Sequence, residues 1–304
     1  MSQVRTNGIG IEVETFGDSA DPPILLIMGL DYQLTHWPKA FVEQLVERGY
    51  RVIRFDNRDV GLSTWFDDLS APNMKVVWLS SVLGFRPKTP YTLSDMADDT
   101  VGVLDVLGID SAHIVGMSMG GMIAQRIAME HPKRVRSLCS IMSSPRPNRS
   151  SFRLMRELLK LNRDPSTREE RIEKGLATFR LLSGKGFLFD EDSARREAAV
   201  AVDRAWHPEG TARQLAAIMA DGDRRPALAS LDVPTTVIHG TDDHLVLPKH
   251  GPETAGAIPG AEMVWIDGWG HDLPEGAWPE ILDAISNLIA RAGSSNSPIK
   301  RVGT

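Results

Sequence analysis

The chain has 304 residues, of which 42% are hydrophobic and 24% are charged, and its formal net charge is −6. This composition is ordinary for a globular enzyme with a large core, and the acidic balance gives no reason to expect nucleic acid as a partner. The single cysteine, Cys139, excludes an intramolecular disulfide and a cysteine-rich metal cluster. Its apolar surroundings predict a buried structural thiol.

Neither the N-terminal region nor the rest of the chain carries a membrane signal. The first residues contain no apolar segment typical of a signal peptide, and no run reaches the ~20 apolar residues of a membrane span. We therefore expect a cytoplasmic protein without stable membrane insertion. The sequence leaves the oligomeric state open.

Strand-like and helix-like segments alternate along most of the chain. In chain order the patterns predict strands over 9–17 and 22–29, a helix over 38–50, a strand over 51–56, a helix over 93–109, a strand over 112–118, a helix over 121–132, strands over 135–143, 234–240 and 262–268, and a helix over 278–293. This alternation predicts an α/β fold with a mostly parallel central sheet flanked by helices. In such folds the functional site lies at the carboxyl ends of the strands.

One region interrupts the alternation. Residues 145–226 contain helix-like, charged sequence without a convincing strand, and we interpret them as a helical cap inserted into the core formed by residues 1–144 and 227–293. Between residues 146 and 185 the cap has eleven Arg and Lys against five acidic residues. This basic segment is either a solvated helix surface or a surface that attracts anionic substrates or lipids. Residues 294–304 are small and polar, and we expect a flexible tail.

A G-x-S-x-G pattern, Gly116-Met117-Ser118-Met119-Gly120, follows one predicted strand and precedes a helix. A serine on such a tight turn projects its hydroxyl clear of the backbone, and small flanking residues keep the crowded turn free of side chains. The helix N-terminus offers free N–H groups beside the developing oxyanion. We predict that Ser118 is a nucleophile; the alternative is a glycine-rich turn with an incidental serine.

A general base and a supporting acid are predicted downstream. His271 lies in a glycine-flanked loop between the last strand and the last helix, where it can reach the serine, and His244 is the second candidate. Asp243, in the loop after strand 234–240, is the predicted acid and is favoured over Asp242. The order Ser118, Asp243, His271 is typical of hydrolases on a parallel sheet.

The oxyanion hole requires two backbone N–H groups. We predict that Met119, directly after the nucleophile, supplies one and that Leu30, after strand 22–29, supplies the other. Gly29 lets the backbone bend toward the substrate, and Gly29 and Met119 are predicted substrate contacts.

The motifs PILLIMG, FDNRDVGLS, VGMSMGGMIAQ, GTDDHLVLP and GWGHDLP together resemble the α/β-hydrolase superfamily, in its order and over most of the chain. The segments MGLDYQLTHWP and FDNRDVGLST, together with the basic cap, look most similar to bacterial carboxylesterases like aclacinomycin methylesterase. The resemblance implies an α/β-hydrolase fold and ester hydrolysis without metal or cofactor. It also implies that Asp56, Arg58, Gly61 and Ser63 form a structural turn near the site. Asp59 stands where many members have glycine, and Met28 where many have histidine.

These features predict a serine carboxylesterase that hydrolyses a small-molecule ester through an acyl-enzyme intermediate. A lactonase, a perhydrolase and a carbon–carbon bond hydrolase are alternatives, because the same triad serves each reaction. A ligand receptor without turnover is an alternative from another class of protein. The basic cap could also dock an acidic protein or a membrane surface, which a steep salt dependence of binding would reveal.

Overall fold

Eight strands and eleven helices occur in the computed structural model, which describes residues 2–83, 85–147, 151–161 and 165–295. The strands are β1 Ser2–Thr6, β2 Ile9–Phe16, β3 Pro23–Ile27, β4 Arg51–Phe55, β5 Ala112–Met117, β6 Val135–Ile141, β7 Thr235–Gly240 and β8 Glu262–Ile266. They form one sheet in the order β1-β2-β4-β3-β5-β6-β7-β8. The pairs β1–β2 and β2–β4 are antiparallel and every other pair is parallel.

Helices cover both faces of the sheet. They are α1 Lys39–Glu47, α2 Met74–Val82, α3 Leu93–Val106, α4 Met119–Glu130, α5 Phe152–Lys160, α6 Arg168–Leu182, α7 Glu191–Arg204, α8 Pro208–Ala220, α9 Arg225–Leu228, α10 His250–Ala257 and α11 Trp278–Ser295. One buried apolar cluster joins the sheet to α3 and α4, and a second joins its opposite face to α1 and α11. Strands β3, β5 and β7 are buried along their whole length, which explains the continuous apolar sequence of β3 and the mostly apolar sequence of β5.

The α/β fold with a mostly parallel sheet is confirmed, and each predicted strand and helix has a counterpart. Three elements were missed: β1, α2 and α10. Strand β1 is a short antiparallel edge strand with mixed polarity, and α10 contains two glycines and a proline, which are poor helix formers. The buried state predicted for Cys139 is also found, and burial raises the pKa of its thiol to about 12.

Helices α5 to α8 lie in sequence between β6 and β7, and no strand occurs among the described residues from 145 to 226. The two ends of this helical insertion meet where the Arg224 N–H donates to the Pro145 carbonyl at 2.8 Å. Several of its cations pair with acids outside the basic segment, as in Arg146–Glu253, Arg168–Asp203 and Arg180–Glu191. These contacts favour a solvated helix surface.

The predicted tail needs one correction. Helix α11 continues to Ser295, two residues into that segment, and the Ser294 hydroxyl donates to the Ala290 carbonyl at 3.1 Å. Residues 296–304 of that tail, and Arg149 and Arg163 of the basic segment, lie outside the described residues. None of the helices in the described ranges is long and apolar enough to cross a membrane.

Candidate active site

The turn between β5 and α4 holds Ser118 in a strained backbone conformation, with φ 57° and ψ −119°. Non-glycine residues rarely adopt a positive φ, and such strain is typical of functional sites. A Cβ on Gly116 would lie 2.1 Å from the Gly120 carbonyl oxygen, and a Cβ on Gly120 would lie 2.1 Å from that of Ile27. Both glycines are therefore required by close backbone packing, as the motif predicted.

Neighbouring strand β6 fixes this turn. The Ser118 N–H donates to the Ile141 carbonyl at 2.9 Å, and the Ser143 hydroxyl donates to the Ser118 carbonyl at 2.8 Å. Because both peptide groups of the serine are held, its side chain has a defined direction at the carboxyl edge of the sheet.

The structure brings the three predicted triad side chains together. His271 Nε2 lies 3.0 Å from Ser118 Oγ, and His271 Nδ1 lies 2.7 Å from Asp243 Oδ2. All three come from the carboxyl ends of β5, β7 and β8, where the parallel strands deliver their following loops to one edge. His271 is 6% exposed and Asp243 is fully buried, so the pair is shielded from bulk water.

Asp243 is oriented by its own loop. Its Oδ1 accepts the N–H groups of Leu245 and Val246, both at 2.8 Å, and this leaves Oδ2 directed at His271. The neighbouring Asp242 faces elsewhere, because its Oδ2 accepts the Lys185 N–H at 3.1 Å. Of the two aspartates, Asp243 bonds to His271 and Asp242 bonds to the Lys185 N–H.

Of the other histidines near the acid, His244 is exposed and makes no contact with Ser118. His239 is fully buried beside the acid, with Nε2 2.8 Å from the Val246 carbonyl and 3.6 Å from Asp243 Oδ2. Burial lowers the pKa of His239, which keeps its imidazole neutral at neutral pH. His239 is therefore a buried core histidine that packs beside the acid.

The loop after β3 reaches the serine. A Cβ on Gly29 would lie 3.1 Å from Ser118 Cβ, so the glycine permits close approach of the two backbones. Within the described part of the chain, the N–H groups of Leu30 and Met119 donate to no protein acceptor. Asn57 donates from Nδ2 to the Met28 carbonyl at 3.0 Å and holds the start of this loop.

The turn predicted from FDNRDVGLS is present. Asp56 accepts the Leu34 N–H at 2.7 Å and the Leu62 N–H at 2.8 Å. Ser63 donates to the Asp56 carbonyl at 2.6 Å, and Gly61 has φ 60°. The turn therefore connects the loop after β3 to the body of the sheet.

Asp59, the departure from the glycine common at its position, has a specific partner. Its φ is 66°, in the left-handed region that favours glycine. Its buried carboxylate forms two hydrogen bonds with Arg213 of α8, at 2.8 and 2.9 Å, and accepts the Phe66 N–H. The paired guanidinium contributes to lowering the pKa of Asp59 against the effect of burial.

Asp272, next to His271 in the chain, interacts electrostatically with Glu197, a carboxyl group that the sequence did not single out. Burial raises the pKa of Glu197 to about 7, and the charge of Asp272 adds to the effect. Burial likewise raises the pKa of Asp272 to about 6, although a hydrogen bond from Ser183 opposes the shift. Glu197 is on α7, far from the motifs in sequence, so only the folded chain reveals its position.

No group of three His, Cys, Asp or Glu side chains among the described residues is arranged to hold a metal ion. Ser118, His271 and Asp243 are joined by hydrogen bonds in one line.

Known proteins share this architecture. The α/β hydrolase fold family matches residues 22–276. Rhodomycin D methylesterase DauP of Streptomyces sp. (strain C5) is 31% identical over 284 residues, covering 86% of this chain and 88% of that protein. A putative carbamate hydrolase RutD of Azorhizobium caulinodans is 27% identical, covering 88% and 90%. A thermophilic esterase from Thermogutta terrifontis superposes with a TM-score of 0.69 at 25% identity, covering 96% and 99%.

The sheet order and the strained serine turn define a hydrolase scaffold of the open α/β class. With a family match over residues 22–276, the chain belongs to the α/β-hydrolase family, and the resemblance inferred from its motifs is confirmed. The enol-lactonase from Burkholderia xenovorans LB400 shares the fold, with a TM-score of 0.73 at 23% identity over 95% of this chain and all of that one.

Proposed function

We propose that this carboxylic ester hydrolase is a serine carboxylesterase that forms an acyl-enzyme intermediate on Ser118. The observation that carries the proposal is the continuous hydrogen-bonded line from Ser118 Oγ through His271 to Asp243, at 3.0 and 2.7 Å. Each distance is within the reach that proton transfer requires.

In the acylation step, Ser118 Oγ attacks the ester carbonyl carbon while His271 Nε2 accepts the hydroxyl proton. Asp243 holds the imidazole with its proton on Nδ1 and stabilises the imidazolium that forms. When the tetrahedral intermediate collapses, the ester C–O bond breaks and His271 returns the proton to the departing alcohol. Water then attacks the acyl-enzyme with the same base, and the acid leaves.

Two backbone donors complete the proposed site. The N–H groups of Leu30 and Met119 are the oxyanion donors, and their lack of a protein acceptor among the described residues supports this role. Each donor contributes about 3–4 kcal/mol to stabilising the transition state. The N-terminus of α4 adds its positive dipole end at the same place. Gly29 and Met119 line the reacting carbonyl.

We further propose that residues 145–226 act as a cap over this site. The His271 N–H donates to the Leu182 carbonyl at 2.7 Å, and the Gly186 N–H donates to the Gly268 carbonyl at 2.9 Å. These bonds tie the insertion to the histidine loop, so the α6–α7 connection is suited to limiting the size of the bound ester.

The substrate class follows from the most informative relatives. Two proteins at 31% identity carry the name rhodomycin D methylesterase. We therefore propose that this chain hydrolyses carboxylic methyl esters of small molecules, releasing methanol. No metal or cofactor takes part in the steps above.

The experiment is a turnover assay on p-nitrophenyl esters from acetate to laurate, followed by methyl esters of the preferred acids with methanol detection. Native protein is compared with Ser118→Ala and with Ser137→Ala, a buried serine bonded to His113 away from the site. We expect turnover in the native protein and in Ser137→Ala, and none in Ser118→Ala. Equal turnover in both variants would refute a role for Ser118. A γ-lactone in the same series tests the lactonase alternative.

A further inference from the structure

The loop that carries Leu30 is held by the helical insertion as well as by the core. Gln214, on α8, is fully buried, and its Oε1 accepts the Asp31 N–H at 3.0 Å. Its Nε2 donates to the Arg58 carbonyl at 2.8 Å. One side chain of the insertion therefore bridges the loop after β3 and the turn after β4.

The bonded peptide groups flank the proposed oxyanion donor. Asn57 holds the Met28 carbonyl on one side, and Gln214 holds the Asp31 N–H on the other. Only Gly29 and Leu30 lie between these fixed points. The direction of the Leu30 N–H is thus determined by its neighbours, since it has no acceptor of its own among the described residues.

The backbone conformation of Asp31 requires contacts from other parts of the chain to hold it. Its φ of 66° is in the left-handed region, which costs a non-glycine residue free energy unless other contacts hold it. The Thr211 hydroxyl, one helical turn before Gln214, donates to Asp31 Oδ1 at 2.5 Å. Helix α8 thus contacts both the peptide and the side chain of this strained residue.

A third contact comes from the end of α7. Arg204 donates to Gln33 Oε1 at 2.8 Å and pairs with Asp56 at 2.6 Å, and Gln33 Nε2 donates to the Ala201 carbonyl at 2.8 Å. The loop from Met28 to Gln33 is consequently attached to the insertion at two residues, Asp31 through α8 and Gln33 through α7.

We propose that Gln214 is a positioning residue that aligns the Leu30 N–H for oxyanion stabilisation and thereby couples the helical insertion to catalysis. The inference rests on the proposed serine carboxylesterase function. An interaction made only in the transition state changes kcat, whereas uniform binding of substrate changes KM. Loss of the Gln214 bond therefore lowers kcat and leaves KM nearly unchanged.

The test compares Gln214→Met with Gln125→Met at matched folding. Gln125 is a control of the same chemistry: it is fully buried, donates to Ser140 Oγ and accepts from Arg224 Nε, but makes no contact with the loop. We expect kcat to fall about 10- to 100-fold in Gln214→Met, less than the loss of a whole oxyanion donor, and to stay within about threefold in Gln125→Met. Affinity for a trifluoromethyl ketone, which mimics the tetrahedral intermediate, should fall in parallel with kcat.

Gln214→Glu provides the rescue, because its carboxyl retains an acceptor for the Asp31 N–H although a buried acid destabilises the fold. We expect its kcat to exceed that of Gln214→Met while its Tm is no higher. If Gln214→Met does not fold, Gln214→Asn, whose shorter amide cannot reach Asp31, replaces it. Equal kcat in the Gln214 and Gln125 variants overturns the proposal, as does a change confined to KM. Absence of Ser118-dependent turnover in the native protein would instead refute the proposed function itself.

Discussion

Replacing Asp243 with asparagine changes one atom of the proposed triad and predicts a large loss of kcat. The N–H groups of Leu245 and Val246 both donate to Oδ1, so the asparagine carbonyl oxygen is held at that position. Its amide nitrogen then faces His271 Nδ1 at the place where Oδ2 now lies, 2.7 Å away. Two donors cannot share a hydrogen bond, so His271 shifts its proton to Nε2 and can no longer accept the Ser118 proton. The wrong tautomer costs about 10⁴-fold in kcat, or about 5.5 kcal/mol.

The assay is steady-state turnover of the preferred p-nitrophenyl ester, with thermal unfolding to verify the fold. Asp242→Asn is the matched control, because Asp242 is the adjacent acid and bonds to Lys185 N–H. We expect Asp242→Asn to retain kcat within about threefold, since a neutral amide still accepts that bond. If Asp243→Asn keeps kcat within tenfold of the native value, or if the two variants lose activity equally, the tautomer argument is wrong.

Three further predictions concern stability. Gly120→Ala should lower the free energy of unfolding by about 2–4 kcal/mol, because the added Cβ meets the Ile27 carbonyl. Gly256→Ala, whose Cβ enters open space on α10, should raise the free energy of unfolding by about 0.5–1 kcal/mol. Denaturant melts that show equal effects of the two variants would contradict this prediction. Asp59→Gly should lower the free energy of unfolding by about 3–5 kcal/mol, although a φ of 66° favours glycine, because the buried Arg213 loses its carboxylate partner. Adding Arg213→Met should recover most of the loss, and no recovery in the double variant would refute the explanation. Glu197→Gln should raise the free energy of unfolding at pH 8 by about 1–2 kcal/mol, after allowance for solvent screening, and should not raise it near pH 4. The Tm of the variant and of the native protein, measured from pH 4 to pH 8, tests this prediction, and a gain in Tm that does not depend on pH would disprove it.

The sign of the Glu197 effect follows from its raised pKa. Between the unfolded pKa, near 4.5, and the folded pKa of about 7, the folded state binds more protons than the unfolded state. Stability therefore falls as pH rises through this window, and a neutral glutamine removes the loss. Asp272, with its pKa raised to about 6, contributes in the same direction over a narrower window.

The sequence predicted those parts of the site that local chemistry determines. A serine between glycines at a strand-to-helix junction has few alternative conformations, so the turn at Ser118 could be inferred from residues 112–132 alone. The same holds for Asp243, in the loop after the buried strand β7, and for His271, in the loop after the last strand, β8. Their convergence follows from the parallel sheet, because its carboxyl ends share one edge.

Contacts between distant segments could not be predicted in this way. Gln214 meets Asp31 across 183 residues and Arg213 meets Asp59 across 154, and neither residue occurs in a recognisable pattern. Glu197 is likewise an ordinary polar residue of a helix until folding buries it beside Asp272. Such roles depend on how the helical insertion packs on the core, which local propensity and periodicity do not specify.

The most direct test of the account is to identify the residue that becomes acylated. Native protein is mixed rapidly with a p-nitrophenyl ester, quenched in acid during the burst of p-nitrophenol, and digested for peptide mass spectrometry. We predict one acylated peptide, with the acyl group on Ser118, and its complete absence in Ser118→Ala together with the burst. Turnover that persists in Ser118→Ala, or an acyl group on a different residue, would contradict the central claim.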